Sequence, residues 1–123
     1  MFQTVLLAWE ERHESPRARE LASEIVDRYE AELVVGLLVP AGSGGAPAMT
    51  DSDGLFRVTI PYRHVARDVA AFAHEHGYDL IVVGHHPPER SHRVFTHDIA
   101  RELVDLADIP VLVVAEADFA YSP

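Results

Sequence analysis

Two short runs near the end of the chain, Asp79–Gly84 (DLIVVG) and Ile109–Ala115 (IPVLVVA), constrain the fold most tightly. Their cores are apolar at consecutive positions, without the polar alternation of a strand that keeps one face wet. Such strands are covered on both faces, as in a parallel sheet with helices above and below. Thr4–Trp9 (TVLLAW) and Glu32–Pro40 (ELVVGLLVP) read the same way, the second stopped by its proline. Between them the period changes. Ala18, Leu21, Ala22, Ile25 and Tyr29 recur at helical spacing, and Ser15–Pro16 suits an N-cap and first turn. Strand, helix and strand with no hairpin turn imply a right-handed parallel crossover.

The remaining elements follow from similar signals. Leu55–Ile60 (LFRVTI) alternates and reads as a short edge strand ended by Pro61. A helix is expected from about Arg63 to His76, with Val65, Val69, Phe72 and Ala73 inward and Gly77 as its left-handed stop. Another is expected from about Thr96 to Ala107, with Ile99, Leu103 and Leu106 on one face. By composition Ala41–Gly54 is a flexible loop and residues 116–123 are a tail. No repeat or boundary divides residues 1–123, so the expectation is one α/β layered domain around a parallel sheet.

Charge and composition exclude several functions. The chain carries 20 acidic and 10 basic residues, a formal net charge of −10, and every basic residue is arginine. A negative surface opposes nucleic-acid binding, which depends on neutralising phosphates. No apolar run approaches the ~20 residues needed to span a bilayer. The N-terminal MFQTVLLAW lacks the basic region and cleavage site of a signal peptide. With no cysteine there is no disulfide, thiolate nucleophile or thiolate metal site. The expected compartment is the cytoplasm, with neither nucleic acid nor membrane as a partner. The acidic, arginine-only composition fits either a GC-rich genome or adaptation to high salt.

AELVVGLLVP, HEHGYDLIVVGHH and DIARELVDLADIPVLVVA together resemble the universal stress protein family across nearly the whole chain. The family's closing signature, Asp-Leu-Ile-Val-x-Gly followed by a loop, a helix and an Ile-Pro-Val-Leu-Val-Val strand, is matched by Asp79–Gly84 and Ile109–Val114. The resemblance implies a three-layer sandwich of the adenine nucleotide alpha-hydrolase-like type, with a five-stranded parallel sheet in the order 3-2-1-4-5. It also implies a homodimer through the last strand, Val111–Val114. The segment after Pro40 is shorter than usual, which implies a reduced or missing second helix.

The resemblance further implies a degenerate nucleotide pocket at Ala8, Glu10, Val39, Gly84, His86, Arg90, Arg93, His97 and Asp98. Nucleotide-binding relatives carry Gly-x-x-Gly, nine residues, then Gly-Ser or Gly-Thr. On this chain Gly84 keeps the first glycine, while the later positions fall on Pro87, His97 and Asp98. Proline has no N–H to offer a phosphate, and histidine fills space that glycine leaves open. The aspartate repels an anion and satisfies the helix dipole itself. Two unit charges ~4 Å apart repel by about 4 kcal/mol at an effective dielectric of 20, enough to weaken ATP binding tenfold or more. Arg90 and Arg93 remain as phosphate partners. Glu10 stands where such relatives usually carry an aspartate after strand one, and it equally suits a solvated strand end.

Other chemistry is sparse. His85, His86, His92 and His97 are weak candidates for a Zn, Ni or Cu site, because spacing alone does not make them converge and adjacent strand residues point apart. His74 and His76 suit a helix C-terminus. No nucleophile elbow is present, Ser91 has no sequence partner, and pairs such as Glu10–Glu11 read as surface charge, so no catalytic residue is assigned. Phe119 and Tyr121 in the tail suit either a partner's sheet edge or a frayed terminus. The sequence therefore points to a small binding or regulatory module of the class lacking the complete ATP motif, with no cofactor and no enzymatic turnover. The alternatives are an ATP- or nucleotide-binding member with a remodelled phosphate loop, and a metal-responsive module using the His85–His97 loop.

Overall fold

β1 (Thr4–Glu10) lies within the sheet because consecutive residues on it are covered from opposite sides: Val5, Leu6 and Leu7 are fully buried and Ala8 nearly so. The computed structural model describes residues 3–10, 16–42, 49–52, 55–85 and 99–115. After β1 come α1 (Pro16–Tyr29), β2 (Glu32–Pro40), β3 (Met49–Ser52), β4 (Leu55–Tyr62), α2 (Val65–Glu75), β5 (Leu80–His85), α3 (Ile99–Leu106) and β6 (Val111–Ala115).

The sheet order is β3-β4-β2-β1-β5-β6. β1 pairs in parallel with β2 and β5, β2 with β4, and β5 with β6. Counted among themselves, these five strands stand in the expected order 3-2-1-4-5. The sixth strand, β3, runs antiparallel to β4 and forms the sheet's edge. The expected loop therefore contains a strand, and the LFRVTI strand lies one place in from the edge. Among the described residues no helix connects β2 to β4, in line with the reduced second helix.

Alternation along the strands makes two cores. Leu6, Val34, Ile60 and Ile81 face one way and pack with Val69 and Ala73 of α2 and Leu103 of α3. Val5, Leu7, Val35 and Val82 face the other way and pack with Ala18 and Ala22 of α1. Each fully buried leucine or isoleucine contributes about 1.5–3 kcal/mol by leaving water. Gly36 belongs to the first face, where a Cβ would meet Ile60 Cδ1 at 2.7 Å and Leu6 Cδ1 at 3.1 Å. It lets the Ile60 side chain cross β2.

Two helical expectations need correction at their ends. Tyr29 is 48% exposed and Leu106 is 54% exposed, so neither joins its helix's buried stripe. Each is the last residue of its helix, where the stripe has already rotated off the sheet. The last strand begins at Val111, two residues later than Ile109, and α2 begins at Val65, two later than Arg63. The pieces Thr96–Asp98, Ser15 and the tail with Phe119 and Tyr121 fall outside the described residues.

Both long helices end in a left-handed residue. In α2 this is Gly77 (φ 72), with Tyr78 N–H donating to Ala73 O at 3.0 Å and Gly77 N–H to His74 O at 3.2 Å. In α1 it is Glu30 (φ 55), with Ala31 N–H donating to Val26 O at 2.9 Å. These bonds satisfy carbonyls that the last turn leaves over.

Candidate functional site: the carboxyl edge of the sheet

At β1 the chain's direction of winding reverses: β2 lies on one side of it and β5 on the other. α1 and α3, which follow β1 and β5, pack on opposite faces. Open parallel α/β sheets bind ligands outside the carboxyl ends of their strands at such a reversal point, which here lies between β1 and β5.

The described candidate residues gather at this edge. Ala8, 2% exposed, is the register partner of both Gly36 and Val83. Gly84, half-buried, follows Val83 directly and pairs with Val114. Glu10 ends β1 level with Leu38 of β2, and the half-buried Val39 comes next on β2. His85 ends β5 beside Ala115. Parallel register thus brings Ala8, Glu10, Val39, Gly84 and His85 from three strands to one sheet edge. His86, Arg90, His92, Arg93, His97 and Asp98 fall outside the described residues. Among the described residues no group of three or more metal-ligating side chains comes together.

A further polar feature belongs to the same edge, where β4 hands over to α2. Asp68 Oδ2 accepts from the backbone amides of Arg63 at 2.8 Å and His64 at 3.2 Å, while Asp68 N–H donates to His64 O at 2.9 Å. The carboxylate holds the entry to α2 from inside its first turn, beside the positive end of the helix dipole. Its sequence signal is an acid in the first turn of an amphipathic run.

At the opposite, amino edge, Asp79 ties β5 to β1. Its Oδ2 accepts from Gln3 N–H at 2.8 Å and Thr4 N–H at 3.0 Å, and its own N–H donates to Thr4 O at 2.9 Å. The Gln3 amide first, and then the Thr4 amide, hold this carboxyl below the ordinary aspartate value. Its neighbour Tyr78 is 7% exposed, and burial, with the Glu32 charge second, pushes the phenol up. His76 at the C-cap of α2 stacks on Phe72 at 4.1 Å, with its Nδ1 3.0 Å from Phe72 O, while His74 Nδ1 lies 2.8 Å from Asp108 Oδ2. The aspartate of the Asp-Leu-Ile-Val-x-Gly signature thus has a structural task at the edge opposite Gly84.

The sheet order and the two helical layers define a doubly wound α/β domain with a reversal point between β1 and β5. The model of the universal stress protein family matches residues 54–115, and the chain belongs to that family. Solved structures agree on the fold. A universal stress protein in complex with cAMP is 16% identical, with TM-score 0.70, over 94% of this chain and 98% of its own. The universal stress protein UspA from Lactobacillus plantarum is 21% identical, with TM-score 0.66, over 92% and 97%. The universal stress protein from Archaeoglobus fulgidus in complex with dAMP is 15% identical, with TM-score 0.65, over 92% and 98%. No curated protein sequence matches the chain.

Proposed function

We propose that this chain is a binding or regulatory domain that works without enzymatic turnover and belongs with family members lacking the complete ATP motif. The observation that carries the reading is the placement of Gly84 at the carboxyl end of β5, beside the point where the strand order reverses. In the sequence that follows Gly84, Pro87, His97 and Asp98 stand at the positions where ATP-binding relatives carry glycines and a hydroxyl. The scaffold of the cradle is kept and its anion-binding chemistry is not. Such a domain acts in the cytoplasm through protein contacts, the first of them with its own copy along β6. That pairing is supported by the position of β6 at the sheet edge, by Val113 at 38% exposure, and by the exposed Val104 and Leu106 of neighbouring α3.

A thermal-shift titration with ATP and Mg²⁺ tests the reading. A ligand at 100 times its Kd adds about 2.7 kcal/mol of stability, which for a domain of this size raises Tm by on the order of 10 °C. The expected result with millimolar ATP is no rise, and a rise of several degrees overturns the proposal. A second reading, a nucleotide site with a remodelled loop using Glu10, Arg90 and Arg93, draws support from the cAMP and dAMP complexes of proteins with this fold. Each of those ligands has a single phosphate. Parallel titrations with cAMP and dAMP decide it: stabilisation by either one, with none by ATP, favours the second reading.

A further inference from the structure

The sheet has two edges of unlike construction, and the difference lies in how the chain returns from β2 to β4. Parallel strands require a return from the carboxyl edge to the amino edge, which helices ordinarily make across a face. Here the return includes a strand in the plane of the sheet: β3 lies beside Leu55–Val58, the first half of β4, in the register Ser52↔Leu55 to Met49↔Val58. The second half of β4 contains a proline. Ala41 N–H donates to Tyr62 O at 2.8 Å, so the backbone of Tyr62 faces β2. Backbone groups alternate sides along a strand, so Leu55, Arg57, Thr59 and Pro61 direct theirs the other way, toward β3 or toward an edge that no other described strand covers. Leu55 and Arg57 meet Ser52 and Thr50 there, and Pro61 brings no donor to that side.

We propose that β3 and Pro61 together guard this edge against strand addition by a second copy of the chain. Unguarded, β4 would offer an eight-residue strand with alternating apolar residues, a ready template for edge-to-edge pairing. The guard replaces it with a four-residue strand, Met49–Ser52, of which three residues are Thr50, Asp51 and Ser52. The charge and the short length both oppose augmentation, while the missing donor at Pro61 interrupts the rest of the edge. At the other edge, β6 (VLVVA) carries neither charge nor proline. A chain with two open edges could add copies without limit; one with a guarded edge cannot. The inference does not depend on how β6 itself pairs.

The test is sedimentation velocity over a wide concentration range on the parent, on Pro61→Val, and on Asp51→Val/Pro61→Val, with circular dichroism to confirm folding. The parent is expected to keep one size, and the opened variants to grow with concentration to about twice the parent mass or more. Adding Val113→Lys leaves association through the opened edge intact. Folded variants that keep the parent's size, or growth that vanishes with Val113→Lys, overturn the proposal. Should the double variant lose its fold, Pro61→Val decides alone, since Pro61 is exposed and its substitution disturbs no core.

Discussion

Asp79 shows how a single carboxylate can hold two strands. It is half-buried and accepts two backbone amides of the neighbouring strand, so its ionised form is favoured in the folded chain. With the folded value depressed, the stabilisation is complete above the unfolded carboxyl range, roughly pH 4, and is lost as pH falls through the lower folded value. Asp79→Asn keeps the side-chain size but loses the charge. It should cost about 1–2 kcal/mol at neutral pH, an amount limited by the site's partial exposure. Urea unfolding of both proteins at a series of pH values checks this: the gap between them should narrow as pH falls below about 4. A constant gap would mean that the charge contributes nothing. By contrast, His74 and Asp108 are 68% and 60% exposed, and solvent leaves such a pair little weight.

At the scale of elements, the ends of α1 and α2 have the same hydrogen-bonded form with different residues in the left-handed position. Gly77 occupies its place without steric cost, whereas Glu30 carries a Cβ into it. Gly77→Ala should therefore destabilise the fold by about 1 kcal/mol, and Glu30→Gly should stabilise it by a similar amount or leave it unchanged. Chemical denaturation of the two variants reads both signs. The same contrast explains what the sequence made legible. Gly77 announces a stop because glycine favours that conformation; a glutamate announces nothing, and the end of α1 is visible only in the structure. Four of the five parallel strands could be read because their apolar runs admit few other environments, whereas Leu55–Ile60 alternates, which is why it reads as an edge strand. β3 was hidden in a segment rich in glycine and polar residues, although Asp53-Gly54, between the paired residues Ser52 and Leu55, is a standing hairpin signal. In the candidate region, strand register places Ala8, Glu10, Val39 and Gly84 at one sheet edge. The roles of Asp68 and Asp79 depend on backbone amides several or many residues away, which no local pattern encodes.

For the whole molecule, the two ends of the sheet differ in chemistry, and its assembly should follow. Val113 on β6 is 38% exposed with Val104 and Leu106 exposed on the packed helix, so a lysine at Val113 places charge in the apolar contact expected between two copies. Val113→Lys should shift the protein from a pair to single copies in sedimentation or native mass spectrometry, with little change in the fold. A parent that already sediments as a single copy would contradict the pairing. The route taken by the chain between β2 and β4 has one more effect. α1 lies over β1, β2, β5 and β6, while Arg57 and Thr59 on β4 face the same way as Val35 and Leu37 of β2. Among the described residues, helices therefore cover both faces of the sheet at β1 and β5 but one face at β4. Among the described residues the domain thus resembles a bracket, gripped by helices from both sides at β1 and β5 and from one side at β4.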